Sequence, residues 1–169
     1  MSEFVKIAPE SIGKSPFELI GKDWTLITAG DAAHFNTMTA SWGSLGVIWR
    51  KPAAFVFVRH SRYTFEFMEK QQGFTLSFFD EAYRAALNLC GTKSGRECDK
   101  VKEAGLTPRI FGDLPAFEEA KLVLTCRTMF HQDMPKEAFI DQGIYADCYP
   151  TDDIHRMYVG EITGVYQKK

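Results

Sequence analysis

The chain has 169 residues, 45% of them hydrophobic and 25% charged, with a formal net charge of −2. That length can bury a core without disulfides or metals. The charge argues against a dedicated nucleic-acid surface, which shows as a basic excess, and the composition gives no sign of disorder or of a membrane span. Cys90, Cys98, Cys126 and Cys148 form no CxxC pair and no His/Cys spacing of a zinc site. Scattered free thiols suit a reducing compartment, and MSEFVKIAPES carries Glu3 and no apolar run of leader length. The expectation is a single cytoplasmic domain over residues 1–169.

Strand character comes first at 24–30 (WTLITAG) and again at 36–42 (NTMTASW). In the second stretch strand alternation sends Thr37, Thr39 and Ser41 to one face and Met38, Ala40 and Trp42 to the other. Three hydroxyls in a row mean either a wet face or a face that holds a polar ligand. The strand-like segment 53–59 (AAFVFVR) leads into a helical segment at 63–71, and 74–79 (FTLSFF) is followed by helical character at 81–89 and 96–105, the last stopped by Gly105. Residues 107–120 are turn-rich and are expected to form a surface excursion. Strand character returns at 121–130, where Leu122, Leu124, Cys126 and Phe130 share one face of a half-buried antiparallel strand, and at 155–166. About six strands with two or three short helices between them predict a mainly β protein, a closed antiparallel barrel decorated with helices.

Arg59, His60 and Arg62 crowd the start of the helix at 63–71, where Thr64 is placed to cap the first turn. Cations at a helix N-terminus are unfavourable unless an anion lies between them and the free N–H groups. Arg59, Ser61, Arg62 and Thr64 can therefore be read as a phosphate cradle as well as a capped helix start. The segment 88–97 (NLCGTKSGRE) places Thr92, Lys93 and Ser94 between Gly91 and Gly95, but the order of a nucleotide phosphate loop is absent. Cys90 is either a small core residue or a thiol activated by its neighbours. No nucleophile elbow, HExxH helix or paired carboxylate motif is present, so no catalytic residue is assigned. An anion cradle, a hydroxyl-lined strand and 14% aromatic residues without catalytic groups fit a cofactor that brings its own chemistry.

NTMTASW, then RHSRYT, SFF, NLCGTKSGR and MYVGEI, in this order and spacing over residues 20–166, resemble the flavin reductase-like family, its flavoredoxin branch above all. The resemblance implies a Greek-key split barrel, a homodimer and one FMN per subunit near the dimer interface. It implies that Asn36, Thr37, Met38, Thr39, Ala40, Ser41 and Trp42 lie along the isoalloxazine ring, with the three hydroxyls on its polar edge. Arg59, Ser61, Arg62 and Thr64 would take the phosphate, and Asn88 with Gly91, Thr92, Lys93 and Ser94 would close over the cofactor. NAD(P)H as electron donor and a redox partner protein fit such a family. The alternatives are an electron carrier with fixed FMN and a cofactor-free ligand-binding barrel.

Overall fold

The computed structural model describes residues 3–169; Met1 and Ser2, part of the expected domain, lie outside the described residues. Among the described residues ten strands run in chain order: β1 (Phe4–Ile7), β2 (Thr25–Gly30), β3 (Phe35–Ala40), β4 (Gly43–Ile48), β5 (Lys51–Arg59), β6 (Gly73–Phe78), β7 (Pro108–Phe111), β8 (Leu114–Phe117), β9 (Leu122–Asp133) and β10 (His155–Lys168). Five α-helices are interspersed among these described residues: α1 (Pro16–Gly21), α2 (Tyr63–Lys70), α3 (Arg84–Thr92), α4 (Lys100–Glu103) and α5 (Gln142–Cys148). The protein is mainly β, as expected, and eight strands form one antiparallel sheet in the order β3-β2-β6-β9-β10-β5-β4, with β1 on the far half of β10.

β3 and β4 are consecutive in the chain yet stand at opposite ends of that order. The expected strand over 36–42 therefore stops at Ala40, and Ser41 and Trp42 form the crossing between the two edges. β4 and β5 then close a two-residue hairpin at Trp49 and Arg50, whose φ angles of 51° and 60° are both left-handed. Hairpin twist favours this geometry, although bulky side chains rarely adopt it.

Two cores lie on the two faces of the sheet. One holds Ile27, Met38, Ala40, Phe74, Leu76, Leu124, Cys126 and Tyr158. The other sits under α3 and holds Leu26, Phe79, Leu87, Cys90, Phe111, Phe117 and Val123. This second core corrects three expectations. Residues 107–120 are not a surface excursion: β7 and β8 form a hairpin that buries Phe111, Ala116 and Phe117. β9 is not half-buried in its first half, because Leu122, Leu124 and Cys126 enter one core while Val123 enters the other. Phe130, further along β9, is exposed and packs edge-on against Trp49.

The helices differ in extent. Only Lys100–Glu103 of the expected 96–105 is α-helical, with Gly105 left-handed just beyond it at φ 67°. The helix expected at 81–89 opens as a 3-10 turn at Glu81–Tyr83 and runs on as α3, taking in Gly91 and Thr92. Neither α1 nor α5 showed in the hydrophobic pattern, being six and seven residues long.

Gly160 of β10 is a close-approach position: a Cβ there would lie 2.7 Å from the Phe74 ring and 3.0 Å from the Cys126 Cβ. Gly160→Ala is expected to destabilise the fold by about 1–3 kcal/mol through overpacking, read as a lower urea midpoint with an unchanged slope.

Candidate functional site

The crossing at Ser41 and Trp42 opens a cavity of about 200 Å3 on the edge of the barrel, walled by Met38 to Trp42, Phe57, Arg59, Arg62 and His155. β3 supplies one wall, the end of β5 supplies Phe57 and Arg59, and the start of β10 supplies His155. Met38 and Ala40 belong to the barrel core and still reach the cavity. Trp42 is 49% exposed and lies 5.3 Å from the His155 ring, centroid to centroid. A second, smaller hole of about 80 Å3 is lined by Ser61, Arg62, Tyr63, Thr92, Lys93, Ser94 and Lys100, and Arg62 is common to both. Water occupies about 30 Å3 per molecule in the liquid, so this hole has the size of a tetrahedral oxyanion.

Arg62 is fixed by a helix end. Its guanidinium donates to the carbonyls of Gly91 at 2.7 Å and Cys90 at 3.2 Å, and the buried Lys100 ammonium donates to those of Cys90 and Lys93, both at 3.1 Å. Cations favour the negative end of a helix, and here two of them cap the last turn of α3. Neither makes an ion pair among the described residues. Burial, helped by the neighbouring Arg62 charge, lowers the Lys100 pKa to about 8. Burial lowers that of Arg62 as well. The hole is thus lined by two desolvated cations held by carbonyl oxygens.

The expected cradle is only partly assembled. Arg59 donates to the carbonyls of Asp153 at 2.6 Å and Cys148 at 3.0 Å and covers the Tyr149 ring. Ser61 donates its hydroxyl and its N–H to the Asp153 carboxylate at 2.5 and 3.2 Å, so a carboxylate of the chain already occupies those donors. Thr64 does not cap α2: the helix begins at Tyr63 after Arg62, which gives no side-chain cap, and the Thr64 hydroxyl accepts from the Asn36 amide at 2.7 Å.

The hydroxyl face of β3 turns toward α3. Thr37, fully buried, bonds the Thr28 hydroxyl at 2.9 Å and the Ile27 carbonyl at 3.2 Å, and Thr39 donates to the Leu87 carbonyl of α3. Asn36 and Thr37 lie outside the cavity wall, whereas Thr39 and the exposed Ser41 line it. Asn88 is exposed on α3 and lines neither hole. Gly91 lets α3 approach β3, since a Cβ there would stand 3.3 Å from that of Thr39. Thr92, Lys93 and Ser94 do line the small hole, but the Lys93 ammonium is drawn out to Glu103 at 2.7 Å. Cys90 is not activated: burial raises its pKa, outweighing the Lys100 and Arg62 charges that lower it.

Sequence reasoning did not find Phe57, Lys100, Tyr149 and His155. Phe57 reads as one more apolar residue of a strand, and the burial of Lys100 follows only from α4 packing near the end of α3. The His155 Nδ1 shares a 2.7 Å hydrogen bond with the Tyr149 hydroxyl, and burial beside Arg59 lowers its pKa to about 4.

The class that fold and site define is a split β-barrel with a cavity where its two edge strands part. The model of the flavin reductase like domain matches residues 18–169, and the chain belongs to that family. Among solved structures it is similar to an FMN-binding domain of a flavin reductases-like enzyme from Shewanella baltica OS155, with 16% identity over 99% of this chain and 78% of that one and a TM-score of 0.70. It is similar to flavoredoxin from Methanosarcina acetivorans, with 23% identity over 99% and 77% of the two chains and a TM-score of 0.69. An NADH:FAD oxidoreductase from Streptomyces globisporus C-1027 matches with 14% identity over 86% and 75% and a TM-score of 0.65. No curated protein matches the chain.

His155 supplies a pH test of the site. The folded chain keeps it neutral down to about pH 4, whereas the unfolded chain protonates it near 6.5. The unfolded state binds more protons between these values, so this group removes stability as the pH falls from 6.5 to 4 and removes no more below that. His155→Gln is expected to lose less stability than the parent between pH 7 and pH 4.5, measured as the change in urea midpoint.

Proposed function

We propose that the protein is an FMN-binding oxidoreductase, with the flavin ring along Met38 to Trp42 and the phosphate in the small hole at Arg62 and Lys100. The observation that carries this reading is a pair of desolvated cations, Lys100 buried and Arg62 half-buried, without an ion-pair partner among the described residues, at an oxyanion-sized hole that shares Arg62 with the larger cavity. A phosphate there would gain charge-assisted hydrogen bonds from both and offset the cost of burying them. The neighbours described as FMN-binding and as flavoredoxin support the same cofactor.

Bound flavin would supply the hydride and electron chemistry, and the protein would supply binding, orientation and a shaped electrostatic surrounding. Arg62 and Lys100 would anchor the phosphate. Trp42 and Phe57 would shield the ring from water, and the neutral His155 would place a ring nitrogen beside it without adding a charge. Electrons would come from NAD(P)H and leave to a small acceptor or a redox partner, a reading supported by the neighbour described as an NADH:FAD oxidoreductase. A homodimer would cover the exposed Val47 and Trp49 at the β4 edge of the sheet.

The test compares FMN with riboflavin, which lacks the phosphate. The parent protein is expected to bind FMN at least tenfold tighter than riboflavin, followed by flavin fluorescence. In Lys100→Met most of that preference should vanish, while riboflavin binding changes little. Equal affinity of the parent for the two flavins would overturn the phosphate assignment, and NADH and NADPH titrations of the FMN-loaded protein then identify the donor.

A further inference from the structure

A third cavity, of about 270 Å3, adjoins the flavin cavity through Trp42 and Phe57, which line both. Its remaining lining is Met134, Phe139, Ile144, Cys148 and Tyr149, so four aromatic rings surround it and no charged side chain faces it. Arg59, the nearby cation, is outside this lining: it lines the flavin cavity, donates to the Cys148 and Asp153 carbonyls and lies over the Tyr149 ring at 5.0 Å.

The far wall is pre-formed. Asp141 caps α5 by accepting from the Gly143 N–H at 2.9 Å, the Tyr145 hydroxyl donates to Asp152 at 2.7 Å, and Arg59 holds the Cys148 carbonyl at the last residue of the helix. Phe139, Tyr145 and Tyr149 pack edge-on or tilted with centroids 5.2 to 5.8 Å apart. The mouth remains apolar, with Ile144 51% and Trp42 49% exposed. Ligand sites are concave, mostly apolar and usually formed in advance, with volumes from about 300 Å3 for drug-sized molecules. A cavity just below that size and ringed by aromatics suits a planar molecule of one or two rings. Lacking a charged partner, it disfavours an ionised ligand, whose desolvation nothing would repay.

We infer that this cavity is a substrate subsite for an uncharged planar ring compound of up to two fused rings, held against the Trp42 and Phe57 wall. Its role as the electron-acceptor site rests on the flavin reading above, while the binding itself rests on the cavity alone.

Cys148 in the lining provides a reporter that needs neither flavin nor turnover. Its alkylation by iodoacetamide is followed by mass spectrometry in the flavin-free protein, with the half-buried Cys98, which lies outside this cavity, as internal control. The probe is 2-naphthol, a two-ring compound neutral at pH 7, and its charged counterpart is 2-naphthoate. Saturating 2-naphthol is expected to slow Cys148 alkylation at least fivefold and leave Cys98 unchanged, with 2-naphthoate at least tenfold less effective in concentration. Ile144→Glu, at an exposed position on the rim, should abolish the protection without loss of fold. Absent protection, equal protection by the two compounds, protection that survives Ile144→Glu, or a Cys148 unreactive from the start would each overturn the assignment. FMN binding measured on the same samples judges the flavin reading separately, since either result can fail without the other.

Discussion

The crossing from β3 to β4 is the constraint on which the rest of the site depends. Two strands adjacent in sequence would ordinarily pair as a hairpin, but here each has found a different neighbour, β2 on one side and β5 on the other. Ser41 and Trp42 must bridge the gap, and a gap between sheet edges is where a barrel can admit a ligand without disturbing its core. Besides the crossing itself and Arg62, the residues that frame the opening come from three strands that meet there: the end of β3, the end of β5 and the first residue of β10.

The C-terminus of α3 does the corresponding work for charge. Its last carbonyls attract Arg62 from the β5–α2 connection and Lys100 from α4, segments far apart in sequence, and set both cations around one small hole. A carboxylate partner would have fixed them equally well and cancelled them. Carbonyl oxygens fix them and leave the charge in place, which is what an anion site requires. Asp153 illustrates the contrast, since its carboxylate accepts from both donors of Ser61, the residue before Arg62, and thereby closes that part of the expected cradle.

The pattern of the chain revealed the strands whose alternation or apolar run is long, β2, β3, β5, β6, β9 and β10, and the position of α2 within a residue. It did not reveal β4, whose glycines and exposed face carry no periodic signal, or the β7–β8 hairpin, whose turn residues read as loop while its inner face was already committed to a second core. Within the site, Met38, Thr39, Ala40, Ser41, Trp42, Arg59 and Arg62 were legible because they cluster in two short segments. The direction of the hydroxyl face was not: alternation separates Thr37 and Thr39 from Met38 but says nothing about which face meets a helix. Lys100 and His155 were hidden for a different reason, since their roles come from burial by elements distant in sequence.

β9 binds these parts into one object. Along a single strand it delivers Leu122, Leu124 and Cys126 to the core inside the barrel and Val123 to the core beneath α3, while pairing β6 on one edge and β10 on the other. Neither core can loosen without exposing side chains or backbone groups that belong to the other. The chain should therefore melt in one cooperative step, with the amides of β9 and the middle of β10 exchanging with solvent only on global unfolding, and the cavity edges moving on a scaffold that stays closed.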